Sequence, residues 1–534
     1  MSRLTIPTST PHQQSPTVGS SFEATRRCIA FSSPAGRFRG MSDETDQLTD
    51  QELPSLIQAA YAPDTFQDLS ATWATQLSEH MSAIMSGEGR VLNWSDPKEL
   101  VDAASGMMHS PAGHSFSELI ETALASGQNL HHPRYIGHQV PASIPSAALF
   151  DATGTVTNQP MAICEMGPWG TAVERAVLRA LQKKIGWNPE TCAGLLTSGG
   201  SLANMTALLT ARNVCFPEAW QQGVPDHAVI VAQADAHYCV TRSAGILGIG
   251  TQRIVAAPLD DRRRMNPQQL DGILCKLKAD GKKVIAVAAA ACATPIGAFD
   301  PLDDIANVCE KHDVWLHVDA AHGGGTLMSS THRTLLNGIE RADSIVWDAH
   351  KMMFVPALCA AVLYRNKEHR YAAFQQDAPY LFDPSSPGLA EFDSGISTVE
   401  CTKRTLGFGL WGMWSMYGEE LFEQLIDHTF ALTAFFHRQL TEAADFQPLH
   451  SPQCNIQVFR FVPESMAAAS NEDISALQLR VRRALIESGD YYIVQTKLDG
   501  QAALRVTIIN PLTTRTDLIE LLNAIRRMAD QTAD

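Results

Sequence analysis

From about residue 170 onward, short apolar runs alternate with segments whose apolar positions recur at helical spacing. "TAVERAVLRALQKKIGW" puts Val173, Val177, Leu181 and Ile185 on one stripe, the pattern of a helix that buries one face. The strand candidates are residues 193–197, 228–232, 253–257, 284–289, 314–319, 344–347 and 359–364. Amphipathic segments between them include "NPQQLDGILCKLKADG" and "PLDDIANVCEKHD". Unbroken apolar strands joined by helical crossovers predict an α/β fold whose mostly parallel sheet is covered on both faces. After residue 400 the order changes to a helical stretch at 403–445, then "NIQVFRFV", which alternates like a half-exposed strand. A helix near 473–487, two strands around "LDGQ" and a last helix from Arg515 complete a smaller α+β unit. Residues 41–130 read as helical and polar, with no core of their own.

Composition narrows the class. With 534 residues, 45% hydrophobic and 18% charged, the chain has enough apolar surface for a large core and two or three domains. A formal net charge of -16 argues against a general nucleic-acid binder. No apolar run approaches the roughly 18 residues of a membrane helix. Eleven cysteines are scattered without CxxC or zinc spacing, which suggests reduced thiols, a cytoplasmic setting and no metal. Residues 1–40 are rich in Ser, Thr and Pro, with five Arg and one acidic residue, and read as a disordered or mis-assigned extension.

In open parallel sheets, ligands bind beyond the carboxyl ends of the strands. After 193–197 comes "SGGSLANMTALLTAR", where Gly199 and Gly200 free backbone N–H groups at a helix start and Ser198 and Ser201 add hydroxyls, a cradle for an anion. The bland alternative is a strand–turn–helix with a capping serine. His237 follows the second strand, Thr294 the fourth and Asp319 closes the fifth. Lys351 follows the sixth, within "SIVWDAHKMMFVPALCAAVLY", where apolar runs on both sides make an unpaired charge costly. Pyridoxal phosphate uses all of these: a phosphate cradle, a flat group on its ring, an acid at the pyridine nitrogen and a lysine for its aldehyde.

"TSGGSLANMTALLTAR", "HVDAAHGGG" and "DAHKMM" together resemble the group II pyridoxal-dependent amino-acid decarboxylases, with similarity from about "HPRYIGHQ" to "LRVTIINP". The resemblance implies an aspartate-aminotransferase-type fold (fold type I) in a homodimer with active sites at the interface. It divides the chain into 41–135, a helical segment that wraps the partner, a cofactor-binding large domain at 136–400 and a C-terminal helical and small α+β domain at 401–534. It makes Lys351 the Schiff-base lysine, Asp319 the pyridine partner, His237 the stacking histidine, Thr294 the neighbour of the ring hydroxyl and Gly199, Gly200 and Ser201 the phosphate turn. His350 matches the histidine beside the lysine. Arg505 resembles a substrate-carboxylate arginine, with His138 and Gln139 as further substrate-side residues. Tyr380, in "QQDAPYLFDPSS", resembles the loop tyrosine that protonates Cα.

Three positions depart from the family pattern. Asp348 stands where many relatives have Asn, and His138 and Pro160 stand where glutamate decarboxylases have Gln and Asn. The implied activity is an L-amino-acid α-decarboxylase (a carboxy-lyase) acting on a small polar amino acid, acidic or 2,4-diaminobutyrate. The alternatives are an aromatic-L-amino-acid decarboxylase, transamination or oxidative deamination on the same cofactor, and an inactive binding protein of the same fold.

Overall fold

The computed structural model describes residues 54–111, 113–374 and 390–532. Backbone contacts divide the chain into two compact units, residues 1–67 and 68–534. The described part of the first holds α1 (Ser55–Tyr61) and the start of α2 (Pro63–Met85). In the second, α3 (Pro97–Met108) starts at an Asp96 cap followed by proline, and α4 (Phe116–Ser126) starts at a Ser115–Glu118 capping box. Neither α3 nor α4 has a buried residue. Then come α5 (Pro145–Val156) and α6 (Pro168–Ile185), and α6 buries Val173, Val177, Leu181 and Ile185, the stripe read from the sequence.

The large sheet contains β1 (Ala193–Thr197), β2 (Ala228–Gln233), β3 (Ile254–Ala257), β4 (Lys283–Ala290), β5 (Trp315–Asp319), β6 (Ser344–Asp348) and β7 (Ala360–Tyr364), in the order β1-β7-β6-β5-β4-β2-β3. Neighbours from β3 to β6 pair in parallel, while β7 runs antiparallel to both β6 and β1. Strand β1 therefore points the same way as β6, and six strand ends meet at one edge. Helices α7 (Gly200–Cys215), α8 (Ala219–Gln222), α9 (Tyr238–Ile246), α10 (Pro267–Ala279) and α11 (Leu302–His312) make the crossovers. The main core joins Val177 and Leu181 of α6 to Val287, Leu316, Ile345 and Trp347 of the sheet.

The stretch read as one helix over 403–445 is two, α12 (Phe408–Tyr417) and α13 (Glu420–Glu442), broken at Gly418, whose φ is +68°. A second sheet of β8 (Phe446–Pro448), β9 (Ile456–Phe461), β10 (Val494–Leu498) and β11 (Gln501–Thr507) has the order β10-β11-β9-β8. Strand β9 is buried along its whole length, not half exposed. Its polar positions are satisfied internally: Gln457 donates to Val458 O at 2.8 Å, and Arg460 donates to Ala502 O at 3.1 Å. Helices α14 (Asn471–Ser488) and α15 (Arg515–Gln531) cover this sheet. Folding also gathers a group that chain spacing did not reveal, Asp271, Cys275 and His312 across α10 and α11, with Lys311 already 2.7 Å from Asp271.

Candidate active site

The edge where six strands end opens on a cavity of about 340 Å³, with Ser198, Gly199, Gly200, Ser201, His237, Thr294, Asp319, His350, Lys351 and Gln139 on its wall. Each residue is set there by the chain's local geometry. Gly199 turns out of β1 at φ +115°, a conformation that a side chain would strain, and Thr197 Oγ1 donates to its carbonyl at 3.2 Å. Helix α7 then starts at Gly200 without a side-chain cap, leaving its first N–H groups to face the cavity. Ser198 donates to Glu400 at 2.7 Å.

His237 caps α9, its Nδ1 accepting from Cys239 N at 3.3 Å. Burial holds its imidazole below the usual range, against the pull of Asp319. Asp319 ends β5 and accepts from Ala321 N at 3.1 Å. Asp348 ends β6, buried, with one oxygen 3.1 Å from Lys351 Nζ and 3.7 Å from His350 Nε2, and the other without a hydrogen-bond partner among the described residues. His350 Nδ1 lies 2.9 Å from Cys359 O, which fixes its ring. Burial alone would lower the pKa of Lys351, but the carboxylates of Asp348 and Asp319 outweigh it and hold the amine above the ordinary lysine range.

Of the remaining sequence candidates, Gln139 is on the cavity wall, while Arg505 and His138 are not among the residues that line it. Arg505 is buried on β11, donates through Nη2 to Thr507 Oγ1 at 3.3 Å and has no partner at Nε among the described residues. Among the described residues no carboxylate pairs with it, and burial pushes it down to about 10. Its charge reaches His322 and Cys292 on the cavity wall. His138 is exposed and its ring leans on Tyr492 at 5.7 Å, while Gln139 Nε2 is buried without a partner among the described residues. Tyr380 lies outside the described residues.

Sequence reasoning missed a supporting layer. His317, two residues before Asp319 on the same face of β5, bridges Ser344 Oγ and Asn204 Oδ1, each at 2.8 Å. It thereby ties β5 to β6 and to α7. Burial pushes it down to about 4, so it stays neutral. A histidine inside an otherwise apolar strand was the visible clue. His322 Nε2 meets Asn455 Oδ1 at 2.8 Å, while Nδ1 is buried without a partner among the described residues. Cys292 and Cys454 bring their sulfurs to 3.9 Å. These last two contacts join the large sheet to the start of β9.

The site fits pyridoxal phosphate. A helix start with free N–H groups suits the phosphate. A lysine and an acid on one wall suit the aldehyde and the pyridine nitrogen, and a histidine ring stands beside them.

Comparison with known proteins agrees. The model of the pyridoxal-dependent decarboxylase conserved domain matches residues 114–462. The chain is 30% identical over 452 residues to cysteine sulfinic acid decarboxylase of Rattus norvegicus, covering 82% of this chain and 91% of that one. It is also 30% identical over 455 residues to acidic amino acid decarboxylase GADL1 of Xenopus tropicalis, covering 82% and 88%. The crystal structure of mouse CSAD superposes with a TM-score of 0.81 at 29% identity, covering 88% of this chain and 99% of that one.

Proposed function

Because the chain belongs to the pyridoxal-dependent decarboxylase family, whose members are carboxy-lyases working with pyridoxal 5'-phosphate, we propose that it decarboxylates an L-amino acid with a short acidic side chain. The observation that carries the acidic substrate is Arg505, a buried guanidinium with no carboxylate partner among the described residues, beside the cavity that holds Lys351. A buried arginine so arranged suits an anionic group, which it can hold with two parallel N–H donors. The two relatives at 30% identity are named for cysteine sulfinic acid and for acidic amino acids, which supports the same reading.

When bound, the cofactor supplies an electron sink for the pair left on Cα as carbon dioxide departs. The N–H groups of Gly200 and Ser201 would hold its phosphate, and His237 would lie against its ring. Asp319 would hold the proton at the pyridine nitrogen, and Lys351 would anchor the aldehyde. Thr294 faces the same cavity and suits the ring hydroxyl. Arg505 orients the substrate. The resemblance gives Tyr380 the role of returning a proton to Cα. The protein works as a homodimer, supported by α3 and α4, which bury nothing and expose Leu100, Val101, Met108 and Leu119. Ten free cysteines among the described residues favour a reducing, cytoplasmic setting.

A panel of amino acids scored by carbon dioxide and matching amine tests the reading. Aspartate, glutamate or cysteine sulfinate should turn over far faster than tryptophan, tyrosine or 2,4-diaminobutyrate. Preference for an aromatic or basic substrate would refute it.

A further inference from the structure

Asp348 is poorly placed for an anion site. Its carboxylate lies directly beneath the turn that suits a phosphate: a Cβ built on Gly200 would fall 2.6 Å from one of its oxygens and 2.9 Å from the other. It is 2% exposed, and the oxygen that does not face Lys351 has no hydrogen-bond partner among the described residues. Its one short ion pair is with Lys351 Nζ, at 3.1 Å. Both of its contacts bear on cofactor loading. A carboxylate beside a phosphate opposes it, because like charges a few ångströms apart repel strongly where water is scarce. A lysine paired with that carboxylate is held as an ammonium, which cannot attack an aldehyde.

We propose that Asp348 restrains cofactor loading, pairing with Lys351 in the unloaded chain and facing the cofactor's phosphate in the loaded one, so that the loaded fraction follows the supply of free cofactor. The inference rests on the cofactor site assigned above. Capture needs Lys351 to give one proton to solvent. The neutral Nζ then forms a C=N bond with the aldehyde carbon, and the aldehyde oxygen leaves as water with the two remaining Nζ hydrogens. Once that bond exists, Asp348 has lost its ammonium partner and remains a buried carboxylate beside an anion, an arrangement that favours release.

Other groups share this wall, and none replaces Asp348. Asp319 at the end of β5 also favours the Lys351 ammonium, more weakly than Asp348. His237 and Cys239 face it from α9, Cys292 from the segment after β4 and His322 from the segment after β5. His350 stands 3.7 Å from Asp348 itself. These groups remain in place when position 348 alone is changed.

The test uses the full chain stripped of cofactor, titrated with pyridoxal phosphate and followed by the visible absorbance of the lysine-bound form between pH 6 and 10. Asp348→Asn and, as a second variant, Asp348→Ser should bind about tenfold or more tightly. Their capture rate should rise with pH about one unit or more lower than in the unsubstituted chain. In that unsubstituted chain, capture should still be accelerating at about pH 9, because Lys351 sits above the ordinary lysine range. An unchanged affinity or an unchanged pH profile in a folded variant overturns the proposal, as does a rate that levels off by about pH 8 in the unsubstituted chain. Complete absence of the visible band in the unsubstituted chain would instead remove the cofactor site on which the proposal rests.

Discussion

At the scale of single residues, the most legible groups were those whose position follows from strand direction. Lys351, Asp319, His237 and Thr294 each follow an apolar run, so a parallel sheet had to bring them to one edge. Orientation was not legible. Nothing in "DAHK" says that Asp348 turns one oxygen to Lys351 and leaves the other without a partner among the described residues. His138 reads as a neighbour of Gln139, yet its ring leans on Tyr492, a residue more than 350 positions away in the chain. Arg505 carries a specific expectation. Arg505→Met should raise KM for an acidic substrate about 30-fold or more, because a buried charge-assisted contact is lost, while the cofactor's visible band is kept. Arg505→Lys should fall between the two, since an ammonium keeps the charge but not the paired donors. Steady-state kinetics with absorbance spectra check both, and an unchanged KM in Arg505→Met would remove Arg505 from substrate binding.

At the scale of elements, apolar runs located all seven strands of the large sheet to within a residue or two, because strands buried on both faces carry few polar positions. The same rule misjudged β9, whose Gln457 and Arg460 looked exposed but find buried partners. The contacts that fix the turn after β1 were also invisible, since they link distant segments. Lys403, fully buried, donates to both oxygens of Glu174 at 2.7 and 2.8 Å and to Leu196 O at 2.5 Å. Lys403→Met should cost about 3–5 kcal/mol, because it leaves the Glu174 charge buried and unpaired. Thermal or urea unfolding measures this, and a loss below about 1 kcal/mol would show that the pair does not brace β1.

His317, which braces β5 against β6 and α7, brings a pH dependence. Its folded pKa of about 4 lies below the ordinary value near 6.5, so between those values the unfolded chain binds more protons. Stability from this group is full above about pH 6.5 and is lost as pH falls toward 4. His322, pushed down to about 3, acts in the same sense. Melting temperature should drop between pH 7 and 4.5, with a shallower slope in His317→Gln. An equal slope in that variant would show that His317 does not contribute.

At the scale of the whole molecule, two packed sheets place Arg505 of the smaller one near the cavity of the larger, a juxtaposition that no local pattern along the chain encodes. The apolar residues left exposed on α3 and α4 support the proposed homodimer. Sedimentation at micromolar concentration should therefore give a dimer, and a monomer would show that those helices serve another purpose. The account depends above all on a covalent link between the cofactor and the lysine after β6. Borohydride reduction of the loaded protein, followed by peptide mass spectrometry, tests this link most directly. The reduced cofactor should appear on the peptide containing Lys351 and disappear in Lys351→Ala. Its appearance on a different lysine, or its absence from every peptide of a chain that still releases carbon dioxide, would contradict the account.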